Sequence, residues 1–226
     1  MKQEHLKLYD VDMKYVRNLS KVDDKVRSVS PQINKDTRPF IGIIVICDEK
    51  KYCVPLSSPK DKHQKMNNDR DFTKIYNKHN RLIGVLDFNL MIPVDEKVIS
   101  VININSSKKD TPELKARKNL MKDQLLWCRQ NQDSLINKAN KLYRIVTETP
   151  DKMRNLTRRC CDFKKLEVVL EKYISKGERA AEKSSVRQSP YSRKKMNELS
   201  QKVAQEKSNR DEHSKDISHK KNDQSL

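Results

Sequence analysis

The sequence predicts an α+β fold: a twisted antiparallel sheet, curled into a small barrel and decorated by helices. Three observations predict it. From Pro39 to Asn105, short β-rich segments follow one another with only polar turns between them. After the polar run "SSKKD", the apolar residues fall at helical spacing instead. Strands and helices are thus segregated along the chain rather than alternating as parallel βαβ units require. Apolar residues make up only 35% of the chain and charged residues another 35%, so a core must be concentrated locally. That concentration lies between residues 38 and 175.

The elements follow in order. "HLKLYDV" alternates as a short strand, and Asp12 is placed to cap a helix through "DMKYVRNLSKV", ending near Val22, from which Tyr15 projects. "DDKVRSVSPQINKDTR" is aperiodic and holds a proline, so it reads as a loop. "PFIGIIVIC" is apolar almost throughout, the mark of a central buried strand, and the turn "DEK" pairs it with "KKYCVPL" as a hairpin. Further strands are expected at "TKIYN", at "LIGVLDF" running toward "LMIPV", and at "VISVININ".

Thr111 and Pro112 make an N-cap and first helical position for a helix with Leu114, Met121, Leu125 and Cys128 near one face. A second helix runs from Asp133 to about Thr147 and is ended by Pro150; a third covers "DFKKLEVVLEKYI". These stripes are core faces that cover one side of the sheet. From Gly177 the chain is polar and charged, and cannot bury enough surface to offset its ordering entropy. The expected division is a domain over 1–176 and a basic tail over 177–226, disordered alone or ordered against RNA.

Charge and composition narrow the function. A net charge of +18 favours a polyanionic partner, with nucleic acid ahead of anionic lipid, because the basic residues are scattered rather than opposed to a large apolar helical face. The five cysteines are odd in number and form no CxxC, and no histidine stands at ligand spacing from another donor, so reduced thiols and no metal are expected. With three glycines there is no phosphate-binding Gly-rich loop. No apolar run approaches a membrane span, and a cytoplasmic location is expected.

The chemistry centres on "VPLSSPK", residues 54–60. On local rules Ser58 caps a helix through "PKDKHQKMNN", with Pro59 first and Asp61 completing a capping box. Ser57 and Lys60 also match the S-x-x-K nucleophile motif formally, but its S-D-N and K-T-G companions are absent. A third reading makes the helix start a phosphate seat, with Ser57 and Ser58 adding hydroxyls and Lys60 a cation. If that phosphate belongs to RNA, the adjacent 2′-hydroxyl supplies the nucleophile, and the protein has only to orient groups, stabilise charge and move protons. His63, one turn after Lys60, shares its helix face and is a candidate general acid or base or RNA contact, with a surface position expected instead.

The ordered series "LYDVDMKYVRNL", "DDKV", "RPFIGIIV", "KYCVPLSSPK" and "LIGVLDFNLMIPV", over residues 6–94, resembles the ToxN/AbiQ family, the endoribonuclease toxins of type III toxin–antitoxin systems. The helical part to about residue 175 fits the family layout with less motif support, and the tail is not covered. The resemblance implies a Kid/MazF-like barrel core and metal-independent cleavage of mRNA, without cofactor, leaving a 2′,3′-cyclic phosphate. It also implies an inhibitor: a small pseudoknotted RNA cut by the toxin from a tandem-repeat precursor. Protein and RNA would close into a cyclic hetero-oligomer with no membrane involved, and the output would be growth arrest or abortive infection in phage defence.

By motif, Ser57, Ser58 and Lys60 correspond to the hydroxyls and lysine of the family's catalytic turn, and Tyr15 to the tyrosine of its first helix. Arg38 stands where the family has a basic residue before the "FIG" strand, and Asn34 where it has an aromatic, so stacking and substrate preference are expected to differ. A guanidinium clamps phosphate but transfers protons poorly. Lys60 is therefore assigned the proton-transfer or phosphorane-stabilising role, with Ser58 aligning the phosphate. The competing class is a non-catalytic basic RNA-binding protein in which "SSPK" only caps a helix and seats phosphate.

Overall fold

The computed structural model describes residues 5–26 and 40–187. The chain divides between Ile174 and Ser175 into two units, and the sheet and groove described below belong to the first. Its strands are β1 (Leu8–Val11), β2 (Phe40–Cys47), β3 (Lys50–Ser57), β4 (Phe72–Tyr76), β5 (Leu82–Asp87), β6 (Ile92–Pro93) and β7 (Ile99–Val101). Every pairing is antiparallel, in the order β4-β5-β3-β2-β1-β7, with β6 also against β3.

The apolar run expected to be central is central: β2 lies between β1 and β3. The β2–β3 connection is a two-residue turn, with Asp48 and Glu49 both at positive φ, 49° and 63°, between the paired Cys47 and Lys50. That is the primed geometry whose twist matches the flanking strands. The curled barrel expected from the strand density is not formed. The sheet is open, and no pairing joins β4 to β7 among the described residues. β7 is only three residues long and largely exposed, too short to carry a closing seam.

The strand expected from "LIGVLDF" into "LMIPV" is broken by a 3-10 turn at Phe88–Leu90, so β3 meets β6 at Tyr52 and Cys53 and β5 at Leu56 and Ser57. Pro55 falls in the gap between those two partners, where a missing N–H costs the sheet no bond on that edge. Across the other edge, Pro55 faces Gly42. A Cβ at Gly42 would come within 2.2 Å of the Val54 carbonyl, so glycine permits the close approach of β2 to β3 at this point.

The helices are α1 (Met13–Ser20), α2 (Asp61–Lys65), α3 (Pro112–Gln130), α4 (Gln132–Glu148), α5 (Arg154–Arg159) and α6 (Phe163–Arg187). Asp12 caps α1 by accepting from Lys14 N at 2.8 Å, and Thr111 caps α3 by accepting from Leu114 N at 3.3 Å, both as expected. α4 packs on β2, and α3 on β4 and β5. α6 passes the expected boundary at 176 and continues to Arg187, because "ERAAEKSSVR" carries no proline and strong helix formers. The remainder of the expected tail lies outside the described residues.

α6 is fastened to the sheet through Glu167, a buried carboxylate that accepts from Tyr52 Oη at 2.6 Å and Tyr143 Oη at 2.8 Å and pairs with Lys50. Phe163 stacks on Tyr143 in the same cluster, at 5.9 Å between ring centroids. The five cysteines are free and buried in the core.

Candidate functional site

A groove of about 1530 Å³ opens where β3 leaves the sheet. One wall is the segment from Pro55 to Asn68, another the ends of β4 and β5 with Asp71, Phe72 and Asp87, and a third the face of α3 carrying Arg117, Leu120, Met121 and Gln124. Arg159, the last residue of α5, also lines it.

β3 ends at Ser57 for a local reason. Ser58 precedes a proline, which restricts it to extended backbone, and Pro59 has no N–H for the ladder. Ser57, still in the strand, donates its Oγ hydrogen to Asp87 Oδ2 at 2.7 Å across the β3–β5 junction. Ser58 and Lys60 are exposed on the same wall. The turn therefore holds one tethered hydroxyl, one exposed hydroxyl and one ammonium within four residues.

The helix start differs from the expected one. The N-cap is Lys60, two residues after Ser58, and α2 is a single turn of five residues rather than a helix through "PKDKHQKMNN". His63 explains the shift. Its Nδ1 accepts from Lys60 N at 3.0 Å while its own N donates to the Lys60 carbonyl at 2.8 Å, a reciprocal clasp that satisfies both ends of one turn. Met66 is then extended, and Asn68 accepts from Lys74 N at 2.8 Å, drawing the chain into β4. So short a helix has little dipole to offer a phosphate, and any seat here is built by side chains.

His63 was expected at the surface as an RNA contact. It is instead only 6% exposed, with its ring 5.3 Å from that of Phe72. Because Nδ1 accepts, the proton of the neutral ring is on Nε2. It lines the groove as a brace behind Lys60.

Tyr15 does not join this group. It is fully buried, its Oη donates to the Pro93 carbonyl at 2.7 Å, and its ring lies 5.2 Å from that of Tyr173. Burial raises its pKa far above the ordinary phenol value. It is not among the groove-lining residues, and its place is that of a core tyrosine joining α1 to β6 and α6. Arg38 and Asn34 lie outside the described residues.

Sequence reasoning missed five groove residues: Asp71, Asp87, Arg117, Gln124 and Arg159. Asp87 ends β5, and nothing local to "LIGVLD" shows that it meets Ser57. Arg159 Nε donates to the buried Asp71 at 3.0 Å, an interaction that raises the guanidinium's pKa, and the Cys161 N to Asn89 O bond at 2.8 Å ties the end of α5 to the groove. No sequence signal marked that pair, which spans 88 positions. Arg117 and Gln124 were findable: with Leu120 and Met121 they repeat at i, i+3, i+4 and i+7, a second stripe on α3 beside its core stripe.

The family model described as toxin ToxN of type III toxin–antitoxin systems matches residues 7–171, from β1 into α6. The chain belongs to the ToxN family. All the groove segments fall inside that match. The chain is 32% identical over 197 residues to endoribonuclease ToxN of Bacillus thuringiensis subsp. kurstaki, covering 84% of this chain and 95% of the relative. It is 29% identical over 181 residues to endoribonuclease ToxN of Pectobacterium atrosepticum, covering 77% and 96%.

Among solved structures, a toxin of a type III system that is selectively inhibited by a non-coding RNA pseudoknot superposes with TM-score 0.64 at 30% identity. The match covers 75% of this chain and 98% of that one. AbiQ, a lactococcal anti-phage endoribonuclease, superposes with TM-score 0.64 at 22% identity over 76% of this chain and 99% of that one, which supports the shared fold. No described helix of this ToxN-family chain is long and apolar enough to cross a membrane.

Proposed function

We propose that this ToxN-family chain is an endoribonuclease toxin that cleaves mRNA and its own repeat RNA precursor, and is held inactive by the processed, pseudoknotted RNA. The observation that carries the reading is the convergence of Ser57, Ser58 and Lys60 on one groove wall, with Ser57 held by Asp87. The relatives named endoribonucleases, and the RNA-inhibited neighbour, support the same reading.

The reaction assigned to the groove is in-line transesterification. The 2′-oxygen of one nucleotide attacks its own 3′-phosphorus as its proton passes to water, the 2′-O–P bond forms as the P–O5′ bond breaks, and a 2′,3′-cyclic phosphate and a 5′-hydroxyl result. The nucleophile is supplied by the substrate, so the protein's work is orientation and charge stabilisation. Ser58 Oγ donates to a non-bridging oxygen and aligns the phosphate. The Lys60 ammonium stabilises the dianionic phosphorane and gives a proton to the departing 5′-oxygen, regaining it from solvent. Ser57 has given its hydrogen to Asp87, and a hydroxyl in that state still accepts through its lone pairs, so it orients the 2′-hydroxyl.

Product and substrate chemistry test the reading. Incubation with a defined RNA in excess chelator should give 2′,3′-cyclic phosphate ends, and replacing the scissile nucleotide by its 2′-deoxy form should stop cleavage there without abolishing binding. Chelator-sensitive cleavage, or cleavage 3′ of a deoxynucleotide, would exclude this mechanism. Binding without cleavage of any RNA would favour the non-catalytic alternative. A cyclic assembly with the RNA is expected and is read from the mass of the purified complex.

A further inference from the structure

Gln124 is a buried amide on the groove-facing stripe of α3, 5% exposed. Its Nε2 donates to the Ile83 carbonyl at 2.7 Å. That bond settles which end of the amide points where, because a backbone carbonyl only accepts and must face the NH2 group. Oε1 meets no donor among the described residues, and it is not among the fully buried polar atoms that lack a partner. An amide fixed at its nitrogen and retaining an unmatched acceptor on a groove wall is built to take a donor from whatever fills the groove.

The strand beneath has made room for it. A Cβ on Gly84 would stand 2.9 Å from Gln124 Nε2 and 3.5 Å from its Cδ, so the amide occupies the space a side chain would take. Gly84 has no positive φ, and its backbone conformation does not call for glycine. Its neighbour Val85 pairs with Ser57, so the strand against which this amide packs is the one paired with the end of β3 at the proposed cleavage turn.

We propose that Gln124 reads a nucleobase beside the scissile phosphate, accepting at Oε1 from an exocyclic amino group. The proposal rests on the RNA-binding part of the function above. Adenine, cytosine and guanine each carry such a group. Uracil presents carbonyl oxygens at its exocyclic positions, which oppose Oε1, and its one base donor is the ring N3–H set back between them. The site should therefore disfavour uracil at one position, by roughly tenfold, the worth of one hydrogen bond whose absence leaves a buried acceptor unpaired.

The test selects bound RNA from a random pool and sequences it, using the Lys60→Ala protein so that the readout does not depend on cleavage. Uracil should be depleted at one position, and both Gln124→Met and Gly84→Ala on that background should remove the depletion at that position alone. The first deletes the amide and the second displaces it by a route that leaves Gln124 in place, so a folding failure of one does not spare the proposal. No uracil depletion in the parent, or the same depletion in either folded variant, overturns it. Cleavage of the same pool by the wild-type chain is scored separately: its absence refutes the nuclease reading and leaves the base-reading result standing on its own.

Discussion

Ser57 Oγ lies 2.7 Å from Asp87 Oδ2, joining the last residue of β3 to the last residue of β5. The contact fixes the direction of one hydroxyl on the groove wall.

Asp87 should therefore act as a positioning residue. Asp87→Ala is expected to slow single-turnover cleavage by about 10²-fold, the scale of a misplaced reacting group, with RNA affinity little changed. Asp87→Asn keeps an acceptor for the Ser57 hydrogen and should recover much of that loss. A purely structural role would instead lower both variants' thermal stability and leave the rate per folded molecule unchanged.

Tyr15→Phe should behave in the opposite way. It removes the hydrogen bond to the Pro93 carbonyl and leaves that acceptor buried, a cost of about 1–2 kcal/mol in denaturant unfolding. Cleavage per folded molecule should match the wild type. A large loss of rate with unchanged stability would return Tyr15 to the chemistry.

Glu167 should set the acid limit of stability. Burial is the largest influence on its carboxyl and raises the pKa, but Lys50, Tyr52 and Tyr143 together outweigh it, so the net shift is below the ordinary 4.5. The folded state then binds fewer protons than the unfolded state in acid. Its contribution is complete above about pH 4.5 and is lost as pH falls through the lower folded value. Glu167→Ala should cost about 2–4 kcal/mol at neutral pH by leaving buried partners unpaired, while Glu167→Gln should flatten the acid limb of a stability–pH curve.

Much of this was legible in the sequence because it depends on local rules. The apolar run of β2, the cap at Asp12 and the Thr111–Pro112 start of α3 each follow from residues within one turn of the feature. The "SSPK" turn was visible too, but its cap was misplaced by two residues, because serine before proline is the commoner cap and the reciprocal bonds of His63 outcompete it. Barrel closure failed as an inference since edge pairing depends on the lengths of β4 and β7, which strand density does not report. Asp87, Asp71 with Arg159, and Gln124 over Gly84 join residues 30 or more positions apart, and only the fold brings them together.

The central claim is that Lys60 acts on the bond that breaks. The most direct measurement is single-turnover cleavage of a bound, defined RNA by Lys60→Ala beside the wild type, with the dissociation constant of each measured on the same RNA. The account predicts a rate lower by about two to four orders of magnitude at saturating protein, with a far smaller change in affinity. A variant that cleaves at the wild-type rate once saturated would contradict it.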